Sequence, residues 1–259
     1  MKIDRAQVLT MFEIYTDAYD KEDAKIRLKY EHTFRVAALC DEIAGSIGLS
    51  GEDRDLAWLL GMLHDIGRFE QLRRYGTFKD ADSIDHAGFG ADLLFGRAGE
   101  TAMIRSFVLD ESEDKLIEIA VRNHSAYRIP KDLDERTAMY CNILRDADKV
   151  DIFRVNVEFD LEDIYNCTTE DLRTCDITPE VLACVTERHA VLRSLKKTTM
   201  DNVVGHICLL FELVYPRSVA IVRDQGYLDK LIHVTSDNPD TQAKLEWIEG
   251  EVTAYMNEA

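Results

Sequence analysis

Proline is scarce, with four residues in a chain of 259, and runs of Val, Ile and Thr bounded by turn signals are few, which argues against a sheet fold. Basic residues are in deficit. Lys and Arg number 31 against 49 Asp and Glu, a formal charge of −18, and a field of that sign repels the phosphate backbone of a long nucleic acid. No apolar run reaches the length needed to cross a bilayer, and the opening Met1-Lys2-Ile3-Asp4-Arg5 has no apolar signal region, so a cytoplasmic protein is expected. Six cysteines, at 40, 141, 167, 175, 184 and 208, include no Cys-x-x-Cys pair, and they read as free, largely buried thiols.

What is present is helical periodicity. Apolar residues recur at intervals of three and four through most of the chain, 46% of the residues are hydrophobic, and the expectation is a single all-α domain over 1–259. Asp4 can cap a first helix with Val8, Leu9, Phe12 and Tyr15 on its apolar face. A second helix is predicted over about 21–47, where His32 shares a stripe with Leu28, Val36, Leu39 and Ile43. Ser50 or Asp53 caps a third, which ends in Leu63-His64-Asp65-Ile66, with Gly67 allowing a turn.

His64 and Asp65 stand where a core should hold neither. Neighbours on a helix point about 100° apart, so the two can close on one ion, and imidazole with carboxylate suits a divalent transition metal. Residues 68–85 are polar, lack a helical period and read as a loop over the site, where Arg68, Arg73 and Arg74 suggest an anionic ligand or, equally, pairs with the local aspartates. Ser83 or Asp85 caps a short helix with His86, and Gly88 and Gly90 permit close packing. A helix through Leu116, Ile117, Ala120 and Val121 reaches His124 and stops by Pro130. Asp134 then caps a long helix in which Asp148, one turn from Leu144 and Ile152, faces inward. From Asp160 on, amphipathic segments near 178–194, 199–214, 216–233 and 240–256 carry no motif, and His189, His206 and His233 read as packing or surface residues.

The ordered set His32, His64-Asp65, His86, His124 and Asp148, with the phrases Leu63-His64-Asp65-Ile66-Gly67 and Asp146-Ala147-Asp148-Lys149-Val150-Asp151, resembles the HD superfamily of metal-dependent phosphohydrolases, in particular its two-metal members. The resemblance covers about 25–155 and implies an HD-type helical bundle, with the helices from about 160 as an extension that shapes the pocket or a homodimer interface. It implies two divalent metals, iron, manganese, cobalt, nickel or zinc. His32, His64, Asp65 and Asp148 would hold the first, His86 and His124 the second, and Asp65 would bridge. A bridging hydroxide would attack the phosphorus of a small anionic phosphate ester or nucleotide. Asp65, Arg68 and Lys149 are the candidate catalytic residues, and Arg68, Arg73 and Arg74 the candidate substrate contacts. Arg145 is a weaker cation, and Arg35 supports His32 or lies on the surface.

Asn123-His124-Ser125-Ala126-Tyr127-Arg128-Ile129-Pro130 departs from the double histidine and Gly-Tyr-Pro phrase of the cyclic di-GMP branch, so that activity is not expected. Diiron oxygenases that resemble myo-inositol oxygenase share the ligand order, and a redox-active iron pair separates them from hydrolases. A third reading is a non-catalytic ligand-binding module, whose usual mark is a missing ligand. None is missing from this set.

Overall fold

Helix caps anticipated from the sequence recur in a computed structural model, which describes residues 1–97, 99–159 and 167–258 and has no strand among them. The fold is all-α. The chain divides into two compact units, Met1–Asp148 and Lys149–Ala259.

In the first unit, α1 (Arg5–Thr16) starts where the Asp4 carboxylate accepts from the N–H groups of Ala6 and Gln7, and α2 (Ala24–Ser46) starts in the same way at Asp23. Both caps satisfy amides that the first turn leaves without partners. The third helix, α3 (Glu52–Leu63), begins instead at Gly51 with no side-chain cap, which corrects the expected Ser50 or Asp53. Glu52, Asp53 and Asp55 fill its first turn, where negative charge suits the helix dipole.

Helices α2 and α3 meet backbone to backbone at one glycine. A Cβ on Gly61 would lie 2.5 Å from the Cα of Ala37, so only hydrogen fits there and His32 and His64 are brought onto facing helices. Gly61→Ala is expected to cost about 1–3 kcal/mol, read as a lower midpoint in urea unfolding, because backbone must move to admit the methyl group.

The predicted loop 68–85 is largely helix. Helix α4 spans Ile66–Tyr75 and closes on Gly76 in the left-handed conformation. Its inward face includes Glu70 and Gln71, polar residues that hid the period from a reading by apolar spacing, and only the stretch after Gly76, with a single 3-10 turn at Asp80–Asp82, is irregular. Gly67 lies inside α4 and does not turn the chain. A Cβ there would meet the His86 carbonyl oxygen at 2.5 Å and the Gly90 nitrogen at 2.8 Å. Helix α5 (His86–Phe95), capped by Asp85, therefore crosses α4 at contact distance, with Gly90 in the close-packing role expected of it.

Behind this crossing, Phe12 of α1 packs edge-on against Phe34 and Phe69, and the Tyr15 hydroxyl donates to the Ile66 carbonyl, seating the start of α4. A short α6 (Ile104–Phe107) and α7 (Asp114–Asn123) follow, and α7 ends before Pro130 is reached. The last helix of this unit, α8 (Glu135–Glu158), starts at Asp134, whose carboxylate accepts from the Thr137 N–H, and continues into the second unit.

The second unit also contains helices Thr169–Thr174, Pro179–Thr186, Thr199–Ile207, Pro216–Gln225, Tyr227–Ile232 and Pro239–Glu258. Left-handed Gly226 splits the amphipathic stretch 216–233 in two. Asp201 is fully buried and accepts from the backbone N–H groups of Thr178, Lys197 and Thr198, tying this unit together internally. His206 bonds Asn156, and His189 and the exposed His233 bond nearby carbonyls, in line with packing or surface roles. Cys40, Cys141, Cys184 and Cys208 are buried, and Cys167 and Cys175 only half-buried. No helix among the described residues is long and apolar enough to cross a membrane.

Candidate metal centre

Two helix ends use one device to aim an imidazole. His64 caps the C-terminus of α3 and its Nδ1–H donates to the Gly61 carbonyl at 2.7 Å, while His124 caps α7 and its Nδ1–H donates to Val121 at 2.7 Å. Each bond satisfies a last-turn carbonyl and leaves the Nε2 lone pair pointing away from the helix. The third imidazole, His86, opens α5 and donates from Nδ1 to the Asp80 carboxylate, 2.9 Å from each oxygen. His32 comes from the buried face of α2, as its stripe predicts.

These nitrogens converge on Asp65. Its Oδ2 lies 3.7 Å from His32 Nε2 and 3.4 Å from His64 Nε2, and its Oδ1 lies 3.5 Å from both His86 Nε2 and His124 Nε2. Asp148 Oδ1 is 3.1 Å from His32 Nε2 and 3.8 Å from His64 Nε2. One carboxylate thus presents an oxygen to each of two histidine pairs. Asp65 is the N-cap residue of α4 but makes no capping hydrogen bond, which leaves its side chain to the site.

The donor set fits divalent metal. Two ligands about 2.1 Å from one ion and at 90–110° lie roughly 3.0–3.4 Å apart. His32 and His64 Nε2 are 3.2 Å apart, and His86 and His124 Nε2 are 3.1 Å apart. For His86 and His124 both Nδ1 positions donate to acceptors, so both Nε2 atoms carry lone pairs that face each other, and a cation between them removes the repulsion. His32, His64 and Asp148 form one group able to hold a metal, and His64, Asp65 and His124 another.

Electrostatics keep His64, His86, Asp65 and Asp148 in their ligating forms. Burial, then the neighbouring Arg68 guanidinium, push the His86 pKa down to about 3, and burial lowers that of His64. Burial opposes charge on Asp65, but Lys29 and the surrounding imidazoles outweigh it and hold the carboxyl well below its ordinary range. Burial likewise opposes ionisation of Asp148, and the His32 hydrogen bond and nearby imidazoles reverse the balance. His64 and His86 are held toward the neutral form and Asp65 and Asp148 toward the charged form, the states in which each can ligate a metal.

Two cations approach Asp65. Lys29 Nζ is 2.7 Å from Oδ2, and Arg68 Nε is 3.6 Å from Oδ1. Arg68 Nη1 donates to Gln71 Oε1, the Phe78 carbonyl and Asp80 Oδ1, whereas the buried Nε has no hydrogen-bond partner among the described residues. The Phe78 ring lies beside both cations, 5.4 Å from Lys29 Nζ and 5.7 Å from the Arg68 guanidinium carbon. Arg73 and Arg74, on the outer side of the last turn of α4, both pair with Glu70, and Arg74 also approaches Glu100. Arg145 donates to the carbonyls of Asn123, His124 and Ala126, holding the turn after His124. Arg35 pairs with Glu31. Lys149 follows Asp148 along α8, is buried and belongs to the second unit.

Lys29, Gln71, Phe78 and Asp80 were not anticipated from the sequence. Lys29 had a signal, since it precedes His32 by one helical turn and so shares its face. Asp80 had none, because a residue on irregular chain carries no period.

The HD domain family model matches residues 30–152. The chain is also 32% identical over 66 residues to the 3'3'-cGAMP-specific phosphodiesterase 1 of Vibrio cholerae serotype O1, a segment that is 24% of this chain and 15% of that protein's length. No solved structure matches. The matched span contains all six converging side chains, from His32 to Asp148, and residues 30–152 are similar to an HD domain.

Proposed function

We propose that this chain is a metal-dependent phosphohydrolase acting on a small phosphate ester or nucleotide. The observation that carries the reading is the Asp65 carboxylate with one oxygen toward His32 and His64 and the other toward His86 and His124. His32, His64, Asp65 and Asp148 would hold one metal, and His86 and His124, with Asp65 shared, a second. When bound, a divalent pair supplies a water made nucleophilic at neutral pH and a Lewis-acidic grip on phosphoryl oxygens. The chain's own part is to fix the ligands through Gly61, Val121 and Asp80 and to meet the substrate's charge. Arg68 is suited to that task, because its buried Nε–H lacks a partner among the described residues and a guanidinium edge matches a phosphoryl group.

The relative's name points to a cyclic dinucleotide, and such a diester belongs in the substrate panel beside nucleotides and sugar phosphates. Asn123 before His124 in place of a second histidine speaks for a mononucleotide or simple ester instead.

The test is elemental analysis of anaerobically purified protein together with phosphate release from the monoesters of that panel and formation of linear dinucleotide from the cyclic diester. Two metals per chain with phosphate release is the expected result. Two irons, no hydrolysis of any ester in the panel and a mixed-valent resonance signal after partial oxidation would replace the hydrolase with an oxygenase. Arg68→Ala is expected to lower kcat/KM on the order of a hundredfold with metal content unchanged, about 3 kcal/mol of transition-state stabilisation. Arg73 and Arg74 form an outer basic pair in this reading, and their joint replacement by alanine should raise KM only a few-fold, as expected for charges already paired with Glu70.

A further inference from the structure

We infer that Asp80 is a positioning residue that couples the anion-binding arm of the site to its second histidine pair, a role that rests on the phosphohydrolase reading. Asp80 sits on the single 3-10 turn between α4 and α5, and its carboxylate accepts from His86, Arg68 and Gln71. His86 Nδ1 lies 2.9 Å from both oxygens, and Arg68 Nη1 donates to Oδ1 at 3.0 Å. Gln71 braces the turn, donating from Nε2 to Asp80 Oδ1, Ser83 Oγ and the Ile84 carbonyl.

The first contact sets the tautomer of His86. A carboxylate at Nδ1 keeps the proton there, turns Nε2 toward His124 and makes that lone pair more basic. The second contact sets the direction of Arg68. With Nη1 occupied by Asp80, Gln71 and the Phe78 carbonyl, the guanidinium is held with Nε facing Asp65 Oδ1, on the side where a phosphoryl oxygen would enter. One carboxylate thereby holds a metal ligand and a substrate cation in a single register. Neither partner replaces it, because Gln71 reaches Arg68 but has no contact with His86 in this network.

The test uses the full chain reconstituted with manganese and desalted, with Asp80→Asn as the principal variant, since it keeps the shape and removes the charge. Asp80→Ala is the second variant, and circular dichroism confirms that each is folded. Metal content and inorganic phosphate binding by calorimetry are the readouts, with Arg68→Ala added in both backgrounds. Asp80→Asn is expected to retain the metal at His32 and His64 and to weaken the second at least about tenfold. Arg68→Ala should weaken phosphate binding about tenfold in the parent and less than threefold beside Asp80→Asn, since the guanidinium is then already misdirected. A mere loosening of the fold would weaken both metals alike. Two metals at parental affinity in Asp80→Asn, or an equal Arg68→Ala effect in both backgrounds, overturns the coupling while leaving the hydrolase reading intact. A parent protein that takes up no metal overturns both.

Discussion

Asp65→Asn is expected to abolish phosphate release, by on the order of a thousandfold or more, about 4 kcal/mol, and to leave at most one metal per chain. The amide keeps the size of the carboxylate, so folding is not the issue. It offers one neutral oxygen where two charged ones face the histidine pairs, and it removes the charge that Lys29 Nζ meets at 2.7 Å. One metal would lose its shared ligand and the other would exchange a carboxylate for a neutral amide oxygen, and Lys29 would be left without the carboxylate it meets, while Arg68 keeps Asp80. The contrast with His86→Ala makes the test sharp. That change touches one histidine pair, so it should release one metal and retain the other. Equal metal content in the parent and Asp65→Asn, by elemental analysis after desalting, would remove Asp65 as a shared ligand.

Gly67→Ala is expected to cost both stability and metal binding in the first unit. The new carbon would stand 2.5 Å from the His86 carbonyl oxygen and 2.8 Å from the Gly90 nitrogen, both backbone atoms that cannot rotate away. Separating α4 from α5 to accept it costs about 3 kcal/mol, or a fall in melting temperature of about 6 °C or more. The same shift carries His86 away from Asp65 Oδ1, so the second metal should weaken even in protein that remains folded at 25 °C. Gly90→Ala is the milder control, since its nearest contact is 3.2 Å, to the Gly67 nitrogen. A folded Gly67→Ala protein with two tightly held metals would show that the crossing does not set the ligand geometry.

Residues 66–76 show where apolar spacing stops reporting a helix. Apolar spacing finds a helix when the buried face is apolar, as it is for α2, and His32 was placed inward on that ground alone. In α4 the buried face includes Glu70 and Gln71, which hydrogen-bond within the structure rather than with water, so the stretch looked like a solvated loop. Gly67 departs from the expected turn for a related reason. A glycine after a helix end usually frees the chain to turn, whereas this one makes room for another helix. Nothing local distinguishes the two uses, because the second is a property of the neighbour.

Local chemistry along the chain determined the all-α class, most helix caps and the six inward ligand candidates, because helical period, capping side chains and misplaced histidines and carboxylates are written within a few residues of each other. Tertiary structure alone decided that Asp65 turns one oxygen to each histidine pair, that Lys29 and Arg68 both meet it, and that Asp80 joins Arg68 to His86. Those contacts unite side chains from separate helices and an irregular turn. They exist only because α2 meets α3 at Gly61 and α4 meets α5 at Gly67, close approaches that depend on two surfaces at once.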